Sequence, residues 1–117
     1  MLPLVAARRS IVHNFRGTPD EFSAAVLNSG TAVLVDFHAK WCAPCKDFSP
    51  TFEAFSTSHP SVKFYSVDIE ENETVAAMHD IRCIPTFLGF DRNGKIVGTL
   101  EGAHQDKVQD LLVKLSG

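Results

Sequence analysis

Two cysteines three residues apart, Cys42 and Cys45, are the residues of this chain best placed to do chemistry. They lie in the stretch WCAPCK (residues 41–46), which follows an apolar strand-like run and opens a helix-like stretch. At the first turn of a helix, unpaired N–H groups and the positive end of the helix dipole favour negative charge. This environment lowers the pKa of a thiol and makes its sulfur a nucleophile. Two such sulfurs can also close into a small disulfide ring.

The cysteine pair has three interpretations: a dithiol redox centre, half of a zinc site, or two ordinary buried cysteines. A four-ligand zinc site needs two further ligands at matching spacing. Cys83 is the only other cysteine, and no two of the five histidines have finger-like spacing. A strand followed by Cys-X-X-Cys and a helix favours redox use. We therefore expect no metal and no bound cofactor, because the sulfurs themselves would carry the electrons.

The composition is that of one globular domain. The chain has 117 residues, of which 44% are hydrophobic and 21% are charged. A chain of this size can build a hydrophobic core without stabilising disulfides or metal ions. The net charge is −3 without a basic block, which argues against nucleic-acid binding. No apolar run approaches the roughly 20 residues that a membrane span needs. We expect a single domain over residues 1–117, with neither nucleic acid nor a membrane as partner.

Apolar periodicity and turn residues predict the elements that position the cysteines. Thr18 and Glu21 predict a capping box at the start of a first helix, and Asn93-Gly94 predicts a hairpin turn with positive φ angles. The order is β-α-β-α-β-α-β-β-α, which is typical of an α/β protein with parallel early strands and an antiparallel edge. The predicted strands cover residues 10–15, 31–38, 62–67, 84–90 and 95–100, and the later helices cover 42–58, 70–79 and 105–115.

The N-terminal segment, MLPLVAARR (residues 1–9), is apolar first and basic afterwards, which is the reverse of a secretory signal. Its two arginines and its lack of acidic residues resemble a mitochondrial presequence only faintly. We interpret it as a leading segment before the first strand. We accordingly expect a cytoplasmic protein, with a mitochondrial location as the alternative.

The chain resembles the thioredoxin family along nearly its whole length. The motifs VDF (residues 35–37) and WCAPCK, with Pro50 five residues after the second cysteine, are similar to the active-site region of the family. The motif IRCIPTF (residues 81–87) resembles the segment that carries the family's cis-proline. Residues 93–95 and 102–103 resemble its hairpin and its final loop. The resemblance implies the thioredoxin fold, a central mixed five-stranded sheet flanked by four helices.

Two positions depart from the pattern of the family. Ala43-Pro44 stands between the cysteines where Gly-Pro is usual, and the added methyl group restricts the backbone. His38 stands where many relatives carry an aromatic residue, and it either packs or titrates near neutral pH; we interpret it as a packing residue.

The resemblance implies roles for two carboxylates. Asp36 would be a buried acid behind Cys45 that exchanges protons with its thiol, and burial raises the pKa of a carboxyl group. Asp36 would thus join Cys42 and Cys45 as a catalytic residue. Asp68 would hold the indole of the active-site tryptophan. From the residues alone, both aspartates could equally be polar strand ends that reach water.

The resemblance also implies a docking surface for substrates around the sulfurs. A cis Ile84–Pro85 bond would face the cysteines and leave the backbone of Ile84 free to pair with an extended substrate segment, as an added strand does. The expected docking surface consists of Trp41, Ala43, Pro44, Ile84, Pro85, Gly102 and Ala103.

Cys83, two residues before Pro85, has two interpretations. It is either a small packed residue, since a free cysteine behaves as a hydrophobe, or a regulatory thiol near the docking surface. Some members of the family carry a cysteine at this place, where oxidation can link two molecules. We expect a protein that is mostly monomeric, with a Cys83-linked dimer on oxidation.

The function that follows is that of a thiol-disulfide oxidoreductase that reduces protein disulfides. Cys42, which we expect to be the more exposed cysteine, attacks the substrate, and Cys45 resolves the mixed disulfide. The expected partners are a thioredoxin reductase, which reduces the pair again, and disulfide-containing proteins such as peroxidases or reductases. The alternative is a thioredoxin-fold binding or scaffold subunit whose docking surface matters more than redox turnover.

Overall fold

The computed structural model describes residues 11–117 and shows the predicted order of elements. Ser10 and the N-terminal segment lie outside the described residues, so the expectations for that segment and for a domain beginning at residue 1 stay predictions. The strands are β1 (Val12–Phe15), β2 (Ala32–His38), β3 (Val62–Asp68), β4 (Thr86–Phe90) and β5 (Ile96–Glu101). The helices are α1 (Pro19–Phe22, continued by a π-helical turn over Ser23–Leu27), α2 (Ala43–Ser58), α3 (Glu73–Met78) and α4 (Gln105–Ser116).

The five strands form one mixed sheet in the order β1-β3-β2-β4-β5. β3 pairs in parallel with both β1 and β2, whereas β4 pairs antiparallel with β2 and with β5. β2 is the central strand, and six of its seven residues are buried, as the nearly continuous apolar run predicted. The α/β class and the five-stranded fold with four helices are confirmed.

The core has two layers because side chains alternate along β2. Leu34 packs with aromatic and aliphatic side chains of α2 and α4 on one face of the sheet. Val33, Val35 and Phe37 pack on the other face with α1, its π-helical turn and α3. Asp36 follows Leu34 by two residues, so the fold places it on the face that α2 covers.

A local sequence signal explains where α1 begins. The capping box forms, with Thr18 Oγ1 accepting from Glu21 N at 3.1 Å and Glu21 Oε1 accepting from Thr18 N at 2.8 Å.

The hairpin between β4 and β5 differs from the prediction, because only Gly94, and not Asn93, has a positive φ, of 78°. The Asp91 carboxylate accepts from Asn93 N and Lys95 N, and this side-chain turn replaces the predicted pair of positive φ angles.

Candidate functional site

Cys42 and Cys45 form a disulfide at the start of α2, with their Cα atoms 5.3 Å apart. Cys42 is the N-cap of the helix, and its Sγ accepts a hydrogen bond from Cys45 N at 3.2 Å. The prediction that Cys42 is the more exposed is wrong for the disulfide form, since Cys42 is 4% and Cys45 6% exposed. The two cysteines therefore differ in their position on the helix and not in their exposure.

The loop before β4 lies against the cysteines. Ile84 and Ile69 pack on the small buried cluster that Ala39, Cys42 and Cys45 form. The Ile84–Pro85 peptide bond is cis, as the resemblance implied. No backbone group of Ile84 hydrogen-bonds to another residue within the described part of the chain, so both groups remain free for an added strand.

Asp36 is a buried carboxyl group close to the second cysteine. It is 7% exposed, and its Oδ1 accepts no hydrogen bond from any described residue. Burial raises the pKa of Asp36 from 3.8 to about 7, because the carboxylate form loses its hydration. The structure thus contradicts the alternative of a strand-end aspartate that reaches bulk water.

A cleft of about 320 Å³ connects Asp36 with Cys45. A space of this size can hold several water molecules, and the polar groups around it can bind them. A proton can therefore pass between the carboxyl group and the Cys45 sulfur through water. The cleft is lined by Asp36, His38, Ala39, Lys40, Cys45, Lys46, Ser49 and Ser66.

Comparison with known proteins assigns the chain to a family. The family profile named Thioredoxin matches residues 14–114. The thioredoxin of Ophiophagus hannah is 35% identical over 99 residues, which are 84% of this chain and 93% of that protein. Thioredoxin-1 of Saccharomyces cerevisiae is 37% identical over 95 residues, 81% of this chain and 90% of that one. The chain belongs to the thioredoxin family.

Solved structures agree with this assignment. The crystal structure of Malassezia sympodialis thioredoxin has a TM-score of 0.83 and 35% identity, and the match covers 93% of this chain and 94% of that one. The structure of the thioredoxin from Nicotiana alata has a TM-score of 0.82 at 29% identity, covering 91% and 93%. As a member of the thioredoxin family, this chain is a thiol-disulfide oxidoreductase, and Cys42 and Cys45 are its disulfide pair.

The tryptophan of the active site is held by a different residue from the one predicted. The indole of Trp41 donates to Glu70 Oε2 at 3.1 Å, although Asp68 was expected in this role. Asp68 Oδ1 instead accepts from the backbone N–H groups of Glu70 and Glu71, at 2.8 Å and 3.3 Å. These bonds form a turn before α3, which is why α3 begins at Glu73 and not near residue 70.

The expected docking surface is assembled around the disulfide but is not uniformly exposed. Trp41 is 64% exposed, and Ala43 and Pro44 are exposed beside it. Ile84, Gly102 and Ala103 are partly buried, whereas Pro85 is buried. Gly102 N donates to the Pro85 carbonyl at 2.8 Å, which brings the loop after β5 next to the cis-proline.

Cys83 is an exposed free thiol outside the disulfide. Its carbonyl accepts from Thr86 Oγ1 at 2.7 Å, and its Sγ lies 4.0 Å from the same oxygen, so the backbone at this position is fixed although the residue is exposed. This exposure contradicts the interpretation of Cys83 as a packed residue.

Sequence analysis missed two residues that organise the site. Glu70 holds the indole, and Asn72 is buried and joins β1 to the turn before α3. The Asn72 amide donates to the carbonyls of Phe15 and Asp68 and accepts from Gly17 N. A polar Asn four residues after Asp68 was the available signal, but nothing local indicates that its two other partners, Phe15 and Gly17, lie more than 50 residues away.

Within residues 11–117, no helix is both long and apolar enough to cross a bilayer. Among the same residues, no group of three or more potential metal ligands comes together.

Proposed function

We propose that this chain is a redox carrier that accepts electrons from a thioredoxin reductase and passes them to disulfides of other proteins. The observation that supports this proposal most strongly is the Cys42–Cys45 disulfide at the N-terminus of α2, beside a cis-proline loop with free backbone groups. The relatives from Ophiophagus hannah and Saccharomyces cerevisiae, which bear the name thioredoxin, support the same activity.

Cys42 starts the reaction as the nucleophile. In the reduced protein, its thiolate at the N-cap lies where the backbone N–H of Cys45 and the helix dipole stabilise a negative charge. The thiolate attacks one sulfur of a substrate disulfide. A Cys42–substrate disulfide forms, the substrate S–S bond breaks, and the other substrate sulfur leaves as a thiolate.

Cys45 completes the reaction as the resolving cysteine. Its thiol gives a proton through the cleft to the Asp36 carboxylate, and the resulting thiolate attacks Cys42 Sγ. The Cys42–Cys45 disulfide forms while the second substrate sulfur leaves. A pKa of about 7 suits Asp36 to this step, because the carboxyl group is then partly ionised near neutral pH.

The substrate segment binds in an extended form across the docking surface. It would hydrogen-bond to the free backbone groups of Ile84, while Trp41, Ala43 and Pro44 contact its side chains. The proteins that would supply such a segment are disulfide-containing proteins such as peroxidases or reductases.

We place the protein in the cytoplasm, with mitochondria as the alternative, and fractionation of cells that express a tagged chain decides between them.

A coupled assay tests the proposed function. NADPH, thioredoxin reductase and the chain are mixed with insulin, and the loss of NADPH absorbance reports disulfide reduction. We expect turnover with the parent chain and with the control Cys83→Ser, and none with Cys45→Ser. Turnover by Cys45→Ser at the parent rate, or no turnover by the parent chain, would contradict the proposal and favour a scaffold function.

The same control variant tests the oligomeric state. The parent chain is expected to be monomeric under reducing conditions and to form a reducible dimer in peroxide through Cys83, which is exposed. Cys83→Ser should abolish that dimer on a non-reducing gel. A dimer that persists in this variant would instead be linked through Cys42 or Cys45.

A further inference from the structure

His38 lies between two clefts, a position that neither the disulfide pair nor the docking surface explains. It follows Asp36 by two residues in β2, so both side chains lie on one face of the sheet. His38 and Asp36 both line the cleft of about 320 Å³ that reaches Cys45. His38 also lines a second cleft, of about 280 Å³, together with Asp68 and Glu71.

Charged and titratable groups surround His38, and they lie on β2, on β3, in the turn after β3, in the loop before α2 and on α2. Its Cα partner on β3 is Asp68, and the turn after β3 contributes Glu71. Burial lowers the pKa of His38, and the nearby charges of Asp68 and Glu71 oppose this effect without overcoming it. The remaining groups that line the cleft toward Cys45 are Asp36 on β2, Lys40 before α2, and Cys45 and Lys46 on α2.

Among the residues that line the cleft toward Cys45, His38 is the one suited to take a proton from Asp36. A neutral imidazole has one nitrogen that accepts a proton, whereas the ammonium groups of Lys40 and Lys46 only donate. Lys40 also pairs with Glu71 at 3.5 Å. No hydrogen bond from a described residue engages the His38 ring, so both ring nitrogens remain available to water.

We propose that His38 is a proton carrier that acts through Asp36 during the resolving step. This inference rests on the proposed function, since it extends the path of the proton that Asp36 receives from Cys45. In the same step in which Cys45 gives up its proton, Asp36 passes a proton through cleft water to the His38 ring, so that resolution of the mixed disulfide depends on the ring, and the ring then releases the proton to solvent in the second cleft. Asp36 is thereby ionised again. The two electrons move only between sulfurs, from the cysteine pair to the substrate.

The test separates the two sulfur steps with dithiobis(nitrobenzoate), whose thiolate is coloured. Mixing the reduced chain with one equivalent gives a first absorbance rise when the mixed disulfide forms and a second rise when Cys45 resolves it. The variants are His38→Gln, which keeps a polar side chain that cannot titrate, and the control His13→Gln, an exposed histidine on β1. Cys83→Ser serves as the background for all of them.

We expect the second rise in His38→Gln to be about a hundredfold slower near pH 7 and the first rise to be unchanged, since a positioned proton-transfer group contributes roughly 10²–10⁴-fold. Added free imidazole should restore the second rise in His38→Gln but leave His13→Gln unaffected. A second rise as fast as in the parent, or a slow one that imidazole does not restore, would overturn the role of His38. A parent chain without any second rise would instead overturn the proposed function itself.

Discussion

At the scale of one residue, Asp36 shows that a group suited to the proposed chemistry can lower the stability of the fold. Burial raises the pKa of Asp36 to about 7, so the folded protein keeps a proton here that the unfolded chain releases near pH 3.8. The folded state binds more protons between these two pH values, and stability therefore falls as the pH rises through this range. The buried carboxylate therefore destabilises the fold above pH 7, which is the cost of the proton-transfer role proposed for it.

Replacing Asp36 by Asn should therefore stabilise the protein in a pH-dependent way. We expect the free energy of unfolding of Asp36→Asn, relative to the parent, to increase between about pH 4 and pH 7 and then to level off. The increase should be at most on the order of 4 kcal/mol, from the shift in pKa. Urea unfolding of the oxidised proteins at several pH values measures it. The exposed Asp110→Asn is the control, and a difference that does not change with pH would contradict the account.

Single residues were predictable where their role depends on sequence neighbours and not where it depends on distant ones. Cys42 and Cys45 are recognisable because the helix start that positions them is encoded next to them. The partner of Trp41 was missed because Asp68 and Glu70 are two residues apart, and both carry carboxylates. Asp68 turns its side chain to the backbone of its own loop, which leaves Glu70 to hold the indole.

At the scale of elements, the residue type tolerated in the hairpin between β4 and β5 depends on a contact with another element. Gly94 has φ of 78°, and a Cβ added to it would collide with the carbonyl oxygen of Leu27 at the end of the π-helical turn. Gly30 has a similar φ of 76°, but a Cβ added there would meet nothing within 4 Å. The sequence predicted the hairpin, whereas the contact with Leu27 depends on how two distant elements pack.

The two glycines form a matched pair for mutation. Gly30→Ala should cost about 1 kcal/mol in the free energy of unfolding, because an L-residue is strained in the left-handed region. Gly94→Ala should cost about 3 kcal/mol or more, because the turn must also move away from Leu27. Urea unfolding of both variants measures the difference. Equal losses of unfolding free energy in the two variants would contradict the claim that packing against Leu27 excludes a Cβ at position 94.

At the scale of the whole molecule, Asn72 connects the edge of the sheet to the active site. Its side chain bonds to Phe15 and Gly17, at the end of β1, and to Asp68, which shapes the turn before α3. That turn carries Glu70 and Glu71, which hold Trp41 and Lys40 in the loop before Cys42. The resemblance implied the mixed five-stranded sheet, but this connection depends on packing between residues far apart in sequence.

Removing the Asn72 side chain should loosen β1. Asn72→Ala removes the side-chain partner of one buried and two partly buried backbone groups, so we expect a loss of about 2 to 3 kcal/mol in the free energy of unfolding. Relative to the parent chain, Asn72→Ala should accelerate hydrogen exchange more for the β1 amides than for the β4 amides. Asn28→Ala, an exposed position, should change neither quantity. A uniform increase in exchange across the sheet would contradict a local connection.

The most direct test of the central claim identifies which sulfur binds the substrate. Reduced Cys45→Ser and Cys42→Ser, each in the Cys83→Ser background, are mixed with a peptide disulfide at neutral pH and quenched with acid. Mass spectrometry then measures the mixed disulfide. We predict a long-lived adduct on Cys42 in the Cys45→Ser protein and almost none in the Cys42→Ser protein. An adduct that forms faster on Cys45 than on Cys42 would contradict the assignment of nucleophile and resolving cysteine.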